Sequence, residues 1–221
     1  FPIRRIIWLV LVVLIIAAYI NTINSPFVYD DKIEVVGNRT IRFIEEWKAI
    51  LLYNPSRMLL QLTYAFNFNR YEFDPTGYHI TNIAIHICSA GACLFMTERL
   101  AIIAKLPRPI LFASAISVLW LLHPMSTEAV TYITGRSESL CGLFSLIAIG
   151  CWANNIQKPN IWWRFASVIA TLCAAMSKEV GLIIPAILLA LELIFTSKVR
   201  WKNYTPFALM LIAGAGTRAF I

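Results

Sequence analysis

The chain of 221 residues is 59% hydrophobic and only 14% charged, with a mean hydropathy of +0.69. Globular domains in water are about 45–50% apolar and about 25% charged, so this composition excludes a water-soluble protein and predicts an integral membrane protein in contact with the lipid bilayer. The net charge of +7 does not indicate a nucleic-acid partner, because lysine and arginine collect in the cytoplasmic loops of membrane proteins.

The first apolar segment, residues 6–23, is interrupted only by Asn21 and Thr22. At 1.5 Å per residue, a helix of this length nearly crosses a hydrocarbon core of about 30 Å. Arg4 and Arg5 precede the segment, which predicts that the N-terminus lies in the cytoplasm. We interpret this segment as the first membrane span.

Residues 25–76 are too polar to cross a bilayer and are predicted to form a non-cytoplasmic loop. Apolar residues spaced three and four apart predict an amphipathic helix that begins near Thr40. Residues 58–68 predict a second helix, capped by Asn54 or Ser56. Both helices are expected to lie in the membrane interface.

The later apolar segments predict further spans at about residues 78–97, 110–122, 140–153, 165–176 and 180–195, and a last one that opens at Tyr204. We therefore predict an all-α fold, a polytopic transmembrane bundle of about seven helices that forms a single domain over residues 1–221. The sequence ends within an apolar run, which favours a fragment of a longer protein.

The charges of the links support this arrangement of spans. Alternation from a cytoplasmic N-terminus leaves ten basic residues and only Glu98 and Glu192 as acids in the inner links. The outer links hold the other nine basic residues and ten acids, as expected if positive charge is retained inside. The loop 25–76, the link 123–138 and the link 177–179 are then all expected on the non-cytoplasmic face.

Asp30 and Asp31 follow the first span directly and are the main candidates for catalysis. Adjacent carboxylates at a membrane surface form either a solvated loop edge or an active centre. The preceding apolar residues Phe27 to Tyr29 would hold the pair near the bilayer. A carboxylate there can act as a general base, and the pair can alternatively hold a divalent cation through oxygen ligands; no other cofactor is indicated.

Charged residues in the two later outer links are candidates for binding a substrate phosphate. Lys178 and Glu179 lie in a link of almost no length, where lysine either snorkels to the surface or pairs with a phosphate at headgroup depth. The link 123–138 contains His123, Glu128, Arg136 and Glu138. Arg136 can grip a phosphate through two nitrogens, but the group can equally be an interfacial helix with weak surface ion pairs.

His79 and His86 lie seven residues apart, and therefore on one face of a helix, with Asn82 between them. They indicate either a polar seam between helices or part of a site. The five cysteines show no CxxC spacing, so neither a zinc site nor a disulfide framework is indicated.

Six short segments occur in an order that resembles a known family. They are residues 27–31 (FVYDD), 57–59 (RML), 77–86 (GYHITNIAIH), 123–130 (HPMSTEAV), 135–140 (GRSESL) and 177–181 (SKEVG). Together they resemble the multi-spanning part of the transmembrane and tetratricopeptide-repeat O-mannosyltransferases and their bacterial relatives. These proteins belong to the GT-C class of polytopic glycosyltransferases.

The resemblance implies an inverting membrane glycosyltransferase that moves mannose or another hexose from a polyprenyl- or dolichyl-phosphate donor to a hydroxyl of a protein or glycan. It implies that Asp30 or Asp31 is the catalytic base, with Arg57, His79 and the charged residues of the later links in substrate binding. The implied location is a bacterial inner membrane or the endoplasmic reticulum, with the site on the non-cytoplasmic face.

Two departures from the family pattern concern the acceptor. The common Arg-Pro-Leu of the first loop is Arg57-Met58-Leu59 here, and the sequence contains no tetratricopeptide repeats. A transporter with a path of ionisable groups, and a non-catalytic membrane scaffold, are the alternative functions. The acids avoid the centres of the predicted spans, which favours the enzyme over a transporter.

Overall fold

The computed structural model describes residues 2–196 and 199–218, and these residues form helices and loops without a β-strand. The α-helices are α1 (Pro2–Tyr19), α2 (Trp47–Tyr53), α3 (Met58–Tyr71), α4 (Pro75–Ile103), α5 (Pro109–Leu121), α6 (Ser126–Thr131), α7 (Arg136–Gln157), α8 (Ile161–Ala175), α9 (Ile184–Phe195) and α10 (Thr205–Arg218). The predicted all-α fold is confirmed for this part of the chain.

Within the described part of the chain, three helices are long and apolar enough to cross a membrane. They are Ile3–Thr22, Pro75–Ile103 and Arg136–Gln157, with 20, 29 and 22 residues. The other four predicted spans correspond to α5, α8, α9 and α10, which have 13, 15, 12 and 14 residues. At 1.5 Å per residue these are shorter than a hydrocarbon core of about 30 Å. The count of seven spans therefore stays a prediction.

Local sequence explains where the long central helix begins. Asp74 caps α4, and its side chain accepts a 3.0 Å hydrogen bond from the backbone N–H of Thr76. Pro75 occupies the first helical position, where its missing N–H costs nothing. Asn160 caps α8 in the same way, by accepting a hydrogen bond from the Trp162 N–H.

Helix α4 is the centre of the bundle and packs against α1, α5 and α7. Helices α4 and α7 begin at the same end of the bundle: Arg136, the first residue of α7, donates a hydrogen bond to the carbonyl of Tyr78 in the first turn of α4. Helix α1 runs the opposite way, since Arg4 pairs with Glu98 near the end of α4. Helix α8 also runs antiparallel to α7 and packs along it.

The segment between α1 and α4 folds differently from the prediction in its first half. Phe43 is extended, with φ −123° and ψ 98°, so the predicted helix near Thr40 is interrupted and α2 begins only at Trp47. The second predicted helix is confirmed as α3, but the predicted side-chain cap is wrong, because Arg57 precedes α3 without a side-chain cap bond.

A buried apolar cluster fixes this segment onto the end of the bundle where α4 and α7 begin. Its members are Val35, Ile41, Ile50, Leu60, Tyr64, Ala65, Tyr78, Ile133 and Leu140. The cluster joins α2 and α3 to the first turns of α4 and α7. The polar residues of three separate links are thereby held at one end of the helices.

Candidate functional site

A cavity of about 720 Å³ opens at this end of the bundle. Its volume lies within the range of about 300–1,000 Å³ that is usual for ligand sites. Its wall combines residues from four parts of the chain: the segment between α1 and α4, the link 122–135 that includes α6, the start of α7 and the link before α9. The lining residues are Asp30, Ile33, Glu34, Arg57, Met125, Glu128, Ala129, Tyr132, Thr134, Gly135, Ser137, Glu138 and Lys178. Five predicted site residues line it: Asp30, Arg57, Glu128, Glu138 and Lys178.

Asp30 and Asp31 are adjacent in sequence but have different surroundings. Asp30 is exposed and lines the cavity, and its carboxylate has no partner among the described residues. Asp31 is 1% exposed, and its two oxygens accept hydrogen bonds from the backbone N–H groups of Val28 (3.1 Å) and Thr134 (2.9 Å). The structure thus leaves the Asp30 carboxylate open to a ligand and uses that of Asp31 to join two loops.

Arg57 reaches the cavity wall in an ion pair with Glu179. Its Nε and one terminal nitrogen donate to the two carboxylate oxygens at 3.2 and 3.3 Å, and the Ser56 hydroxyl lies 2.9 Å from the same carboxylate. Partial burial raises the pKa of Glu179, but the hydrogen bonds from Arg57, its own backbone N–H and Ser56 outweigh this and lower the pKa to about 2. Glu179 itself does not line the cavity; it orients Arg57.

Lys178 and Glu138 form the second ion pair of the cavity. The other carboxylate oxygen of Glu138 accepts a 2.6 Å hydrogen bond from the Ser137 hydroxyl. The side chains of Lys178 and Glu138 are 27% and 48% exposed, so the pair is accessible from solvent. An anionic ligand could therefore replace Glu138 as the partner of Lys178.

Arg136, predicted to bind phosphate, is fully buried and does not line the cavity. Its guanidinium donates to Asn82 Oδ1 (2.7 Å), to the Thr63 hydroxyl (3.2 Å) and to the Tyr78 carbonyl (3.1 Å). It also lies over the ring of Tyr64, 4.8 Å from the ring centroid. The arrangement makes Arg136 a connector of α3, α4 and α7.

His79, Asn82 and His86 form a polar seam between α4 and its neighbours. The ring Nε2 of His79 lies 3.0 Å from the Ser25 carbonyl, and that of His86 lies 3.4 Å from the Leu121 carbonyl. Asn82 donates to carbonyl oxygens of the link after α6, including that of Tyr132 at 3.1 Å. None of these three side chains lines the cavity, so the seam interpretation agrees with the structure.

The two remaining predicted residues, His123 after α5 and Glu128 in α6, are exposed. His123 lies outside the cavity wall, and its Nδ1 accepts a 3.2 Å hydrogen bond from the Met125 N–H. Glu128 lines the cavity without an ion-pair partner among the described residues.

Two residues of the cavity wall, Glu34 and Tyr132, were missed as site candidates from the sequence. Glu34 lies four residues after Asp30, and its N–H donates to the Asp30 carbonyl at 2.8 Å in a helical turn. The spacing of four was the available signal, because it places two side chains on one face of a helical turn. Tyr132 carried no signal, since its proximity to Asp30 arises from loop packing.

A divalent cation shared by Asp30 and Asp31 does not fit this geometry. Asp31 is 1% exposed, does not line the cavity, and both of its oxygens accept backbone N–H groups, so Asp30 is the only member of the pair at the cavity. Within residues 2–196 and 199–218, no group of three or more His, Cys, Asp or Glu side chains is arranged to hold a metal ion.

The composition and the three long apolar helices fit an integral membrane protein with a polar cavity at one end of a helical bundle. The chain is similar to protein O-mannosyl-transferases of animals. It is 26% identical over 221 residues to such a protein from Caenorhabditis elegans, an alignment that covers 93% of this chain and 30% of the nematode protein.

Two further relatives have similar levels of identity. The chain is 28% identical over 230 residues to protein O-mannosyl-transferase TMTC3 of Mus musculus, covering 92% of this chain and 23% of the mouse protein. It is 28% identical over 193 residues to protein O-mannosyl-transferase tmtc2 of Xenopus laevis, covering 76% of this chain and 22% of the frog protein. The chain thus spans less than a third of these relatives. No protein-family model and no solved structure matches it.

Proposed function

We propose that this chain carries the membrane-embedded active site of a protein O-mannosyltransferase, which moves a hexose from a polyprenyl- or dolichyl-phosphate donor to a protein hydroxyl. The observation that carries the proposal is the cavity itself, which is lined by the Asp30 carboxylate, without a partner among the described residues, and by the cations Arg57 and Lys178. The homologues named protein O-mannosyl-transferases support the same class of reaction.

Asp30 is the proposed general base. The acceptor hydroxyl attacks the anomeric carbon of the donor sugar, a new C–O bond forms, and the bond between that carbon and the phosphate oxygen breaks. The hydroxyl proton passes to the Asp30 carboxylate. Attack from the face opposite the leaving phosphate inverts the anomeric configuration. Asp31 is assigned a positioning role, because its carboxylate is engaged by two backbone amides.

Arg57 and Lys178 are the proposed ligands of the donor phosphate. The leaving group is a lipid phosphate whose charge increases as the glycosidic bond breaks, and fixed cations stabilise such charge in the transition state. Glu179 and Ser56 hold Arg57 in place, so its guanidinium is oriented before the donor arrives. Lys178 exchanges Glu138 for the phosphate.

The donor chemistry fits a site at the end of a helical bundle in a membrane. A lipid phosphate places its sugar at the depth of the headgroups, where links between apolar helices lie. We assign the cavity to the non-cytoplasmic face and all seven apolar segments to the bilayer, because the distribution of basic residues favours this topology. In an endoplasmic reticulum membrane this face is the luminal one.

The polar seam of α4 gives the transporter alternative less support than the cavity gives the enzyme. The side chains of His79, Asn82 and His86 contact backbone carbonyls of Ser25, Tyr132 and Leu121. These contacts hold α4 to its neighbours, and among the described residues the three side chains do not form a row of free ionisable groups. The scaffold alternative predicts that loss of Asp30 or Lys178 leaves function intact.

The test is transfer of radiolabelled mannose from a synthetic polyprenyl-phosphate donor to an acceptor peptide by the full-length protein in membranes. Asp30→Asn is expected to reduce transfer by about 10²- to 10⁴-fold, the usual contribution of a general base. Lys178→Ala is expected to raise the KM for the donor and to lower kcat. Lys32→Ala, an exposed cation outside the cavity wall, is the matched control. Full transfer by Asp30→Asn would contradict the proposed mechanism.

A further inference from the structure

Tyr132 connects the link 122–135 to the turn that carries Asp30. Its hydroxyl oxygen accepts a 2.8 Å hydrogen bond from the backbone N–H of Asp30, across 102 residues of sequence. The side chain also lines the cavity. Because the oxygen accepts from the Asp30 N–H, the hydroxyl proton points elsewhere, and among the described residues it has no protein acceptor.

The turn that Tyr132 contacts has a strained backbone. Tyr29, immediately before Asp30, has φ 43°, which a residue with a Cβ adopts only at a cost. Such conformations persist where surrounding contacts fix them, and they are common at functional sites. The side chain of Tyr29 is 84% exposed, so packing of its own ring does not explain the conformation.

Contacts from the link 122–135 hold the turn instead. The Asp31 carboxylate accepts from the Thr134 N–H, and the Asp30 N–H donates to Tyr132. Helix α4 in turn holds the link 122–135, because the Asn82 amide donates to the carbonyl of Tyr132. Tyr132 is thus anchored at its backbone by α4 and contacts the Asp30 backbone through its hydroxyl.

We infer that Tyr132 is a positioning residue that fixes the Asp30 turn so that the Asp30 carboxylate is directed into the cavity. This inference rests on the proposed role of Asp30 as the base. The phenol acts at the backbone of Asp30, so its loss alters the placement of the base without removing a cation that binds the donor. The effect is therefore on the chemical step.

The experiment compares Tyr132→Phe with Tyr29→Phe in the full-length protein, with a polyprenyl-phosphate mannose donor and an acceptor peptide. Each change deletes one phenol oxygen, but only the phenol oxygen of Tyr132 accepts from the Asp30 N–H, and of these two side chains only that of Tyr132 lines the cavity. Loss of one hydrogen bond of ordinary strength predicts a fall in kcat of about three- to tenfold for Tyr132→Phe, with an unchanged KM for the donor. Tyr29→Phe is expected to retain the kcat and KM of the parent protein.

A double-mutant cycle with Asp30→Asn separates positioning from general support of the fold. If Tyr132 acts through Asp30, then Tyr132→Phe causes no further fall in the residual rate of Asp30→Asn. An equal fall in both backgrounds, or a raised KM without a change in kcat, would overturn the inference. Full transfer by Asp30→Asn would contradict the base assignment itself, whereas full transfer by Tyr132→Phe beside an inactive Asp30→Asn overturns only the role of Tyr132.

Discussion

The carboxylate of Asp31 accepts a 2.9 Å hydrogen bond from the backbone N–H of Thr134, a residue 103 positions later in the chain. Its other oxygen accepts from the N–H of Val28. One buried side chain therefore closes the turn that carries Asp30 and joins it to Thr134, another residue that lines the cavity. The two adjacent acids therefore differ in role: Asp31 joins the loops, and Asp30 lines the cavity.

Asp31→Asn is expected to destabilise the protein more than Asp30→Asn does. An asparagine offers one oxygen in place of two, so one of the two amide donors loses its acceptor, at a cost of about 1–3 kcal/mol. Thermal unfolding of the purified variants in detergent measures this. Asp30→Asn should unfold at the parent temperature, because its carboxylate has no protein partner to lose. An Asp31→Asn protein that is fully stable yet inactive would return the catalytic role to Asp31.

Arg136→Lys is expected to destabilise the fold by about 2–3 kcal/mol, because lysine keeps the charge but cannot direct donors to three separate acceptors. Thermal unfolding in detergent again provides the measurement, and Arg39→Lys, at an exposed position, is the control. The folded fraction of Arg136→Lys should keep the parent KM for the donor. A raised KM with unchanged stability would instead support the phosphate-binding role predicted from the sequence.

The sequence allowed the class of fold, the positions of the three long apolar helices and the convergence of three polar links to be predicted, because these follow from hydropathy and charge; the ends of the helices differ from the prediction by up to six residues. Arg136 shows the limit of that reasoning. A motif with arginine two residues before glutamate suggested a phosphate site. Only the packing of α3, α4 and α7 shows that Glu138 lines the cavity while Arg136 lies buried. Similarly, nothing in the pair Asp30-Asp31 specifies which carboxylate meets two backbone amides.

The interruption at Phe43 has the same origin. The apolar spacing near Thr40 satisfied a helical period, and the helix still failed to form there. Tertiary packing explains the difference, because Val35, Ile41 and Ile50 enter one buried cluster with α3, α4 and α7. Short helices depend on such packing for their stability, so local periodicity alone could not determine where α2 begins.

The ion pair between Arg57 and Glu179 should persist well into the acidic range. The folded pKa of Glu179, about 2, lies below the ordinary value of about 4.3. The stabilisation by this carboxylate is therefore complete above the ordinary value and is lost as the pH falls towards 2. The difference in unfolding temperature between the parent and Glu179→Gln should be constant from pH 7 to pH 5 and then shrink. A difference that shrinks between pH 7 and pH 6 would contradict this assignment.

Residues 38–40 (NRT) form an N-glycosylation sequon, but Asn38 should carry no glycan in the folded protein. Its side chain is 2% exposed, and its Nδ2 donates a 3.0 Å hydrogen bond to Gln61 Oε1. The expected result, after expression in a eukaryotic secretory pathway, is no mobility shift of the folded fraction on endoglycosidase treatment. The control is a new sequon made by Glu46→Asn with Lys48→Thr, two exposed positions of the same segment, which should be modified. A glycan on Asn38 of the folded protein would contradict the burial.

Cysteine labelling can test whether the cavity and the basic loops lie on opposite sides of the membrane. In a background without native cysteines, Lys32→Cys and Glu128→Cys should react with an impermeant maleimide from the non-cytoplasmic side. Lys105→Cys and Lys158→Cys follow the ends of α4 and α7, and all four positions are exposed. The latter two should react from that side only after permeabilisation, because the proposed topology places the ends of α4 and α7 on the cytoplasmic side. Labelling of both sets from one side would contradict the proposed topology, and with it the access of a non-cytoplasmic lipid donor to Asp30.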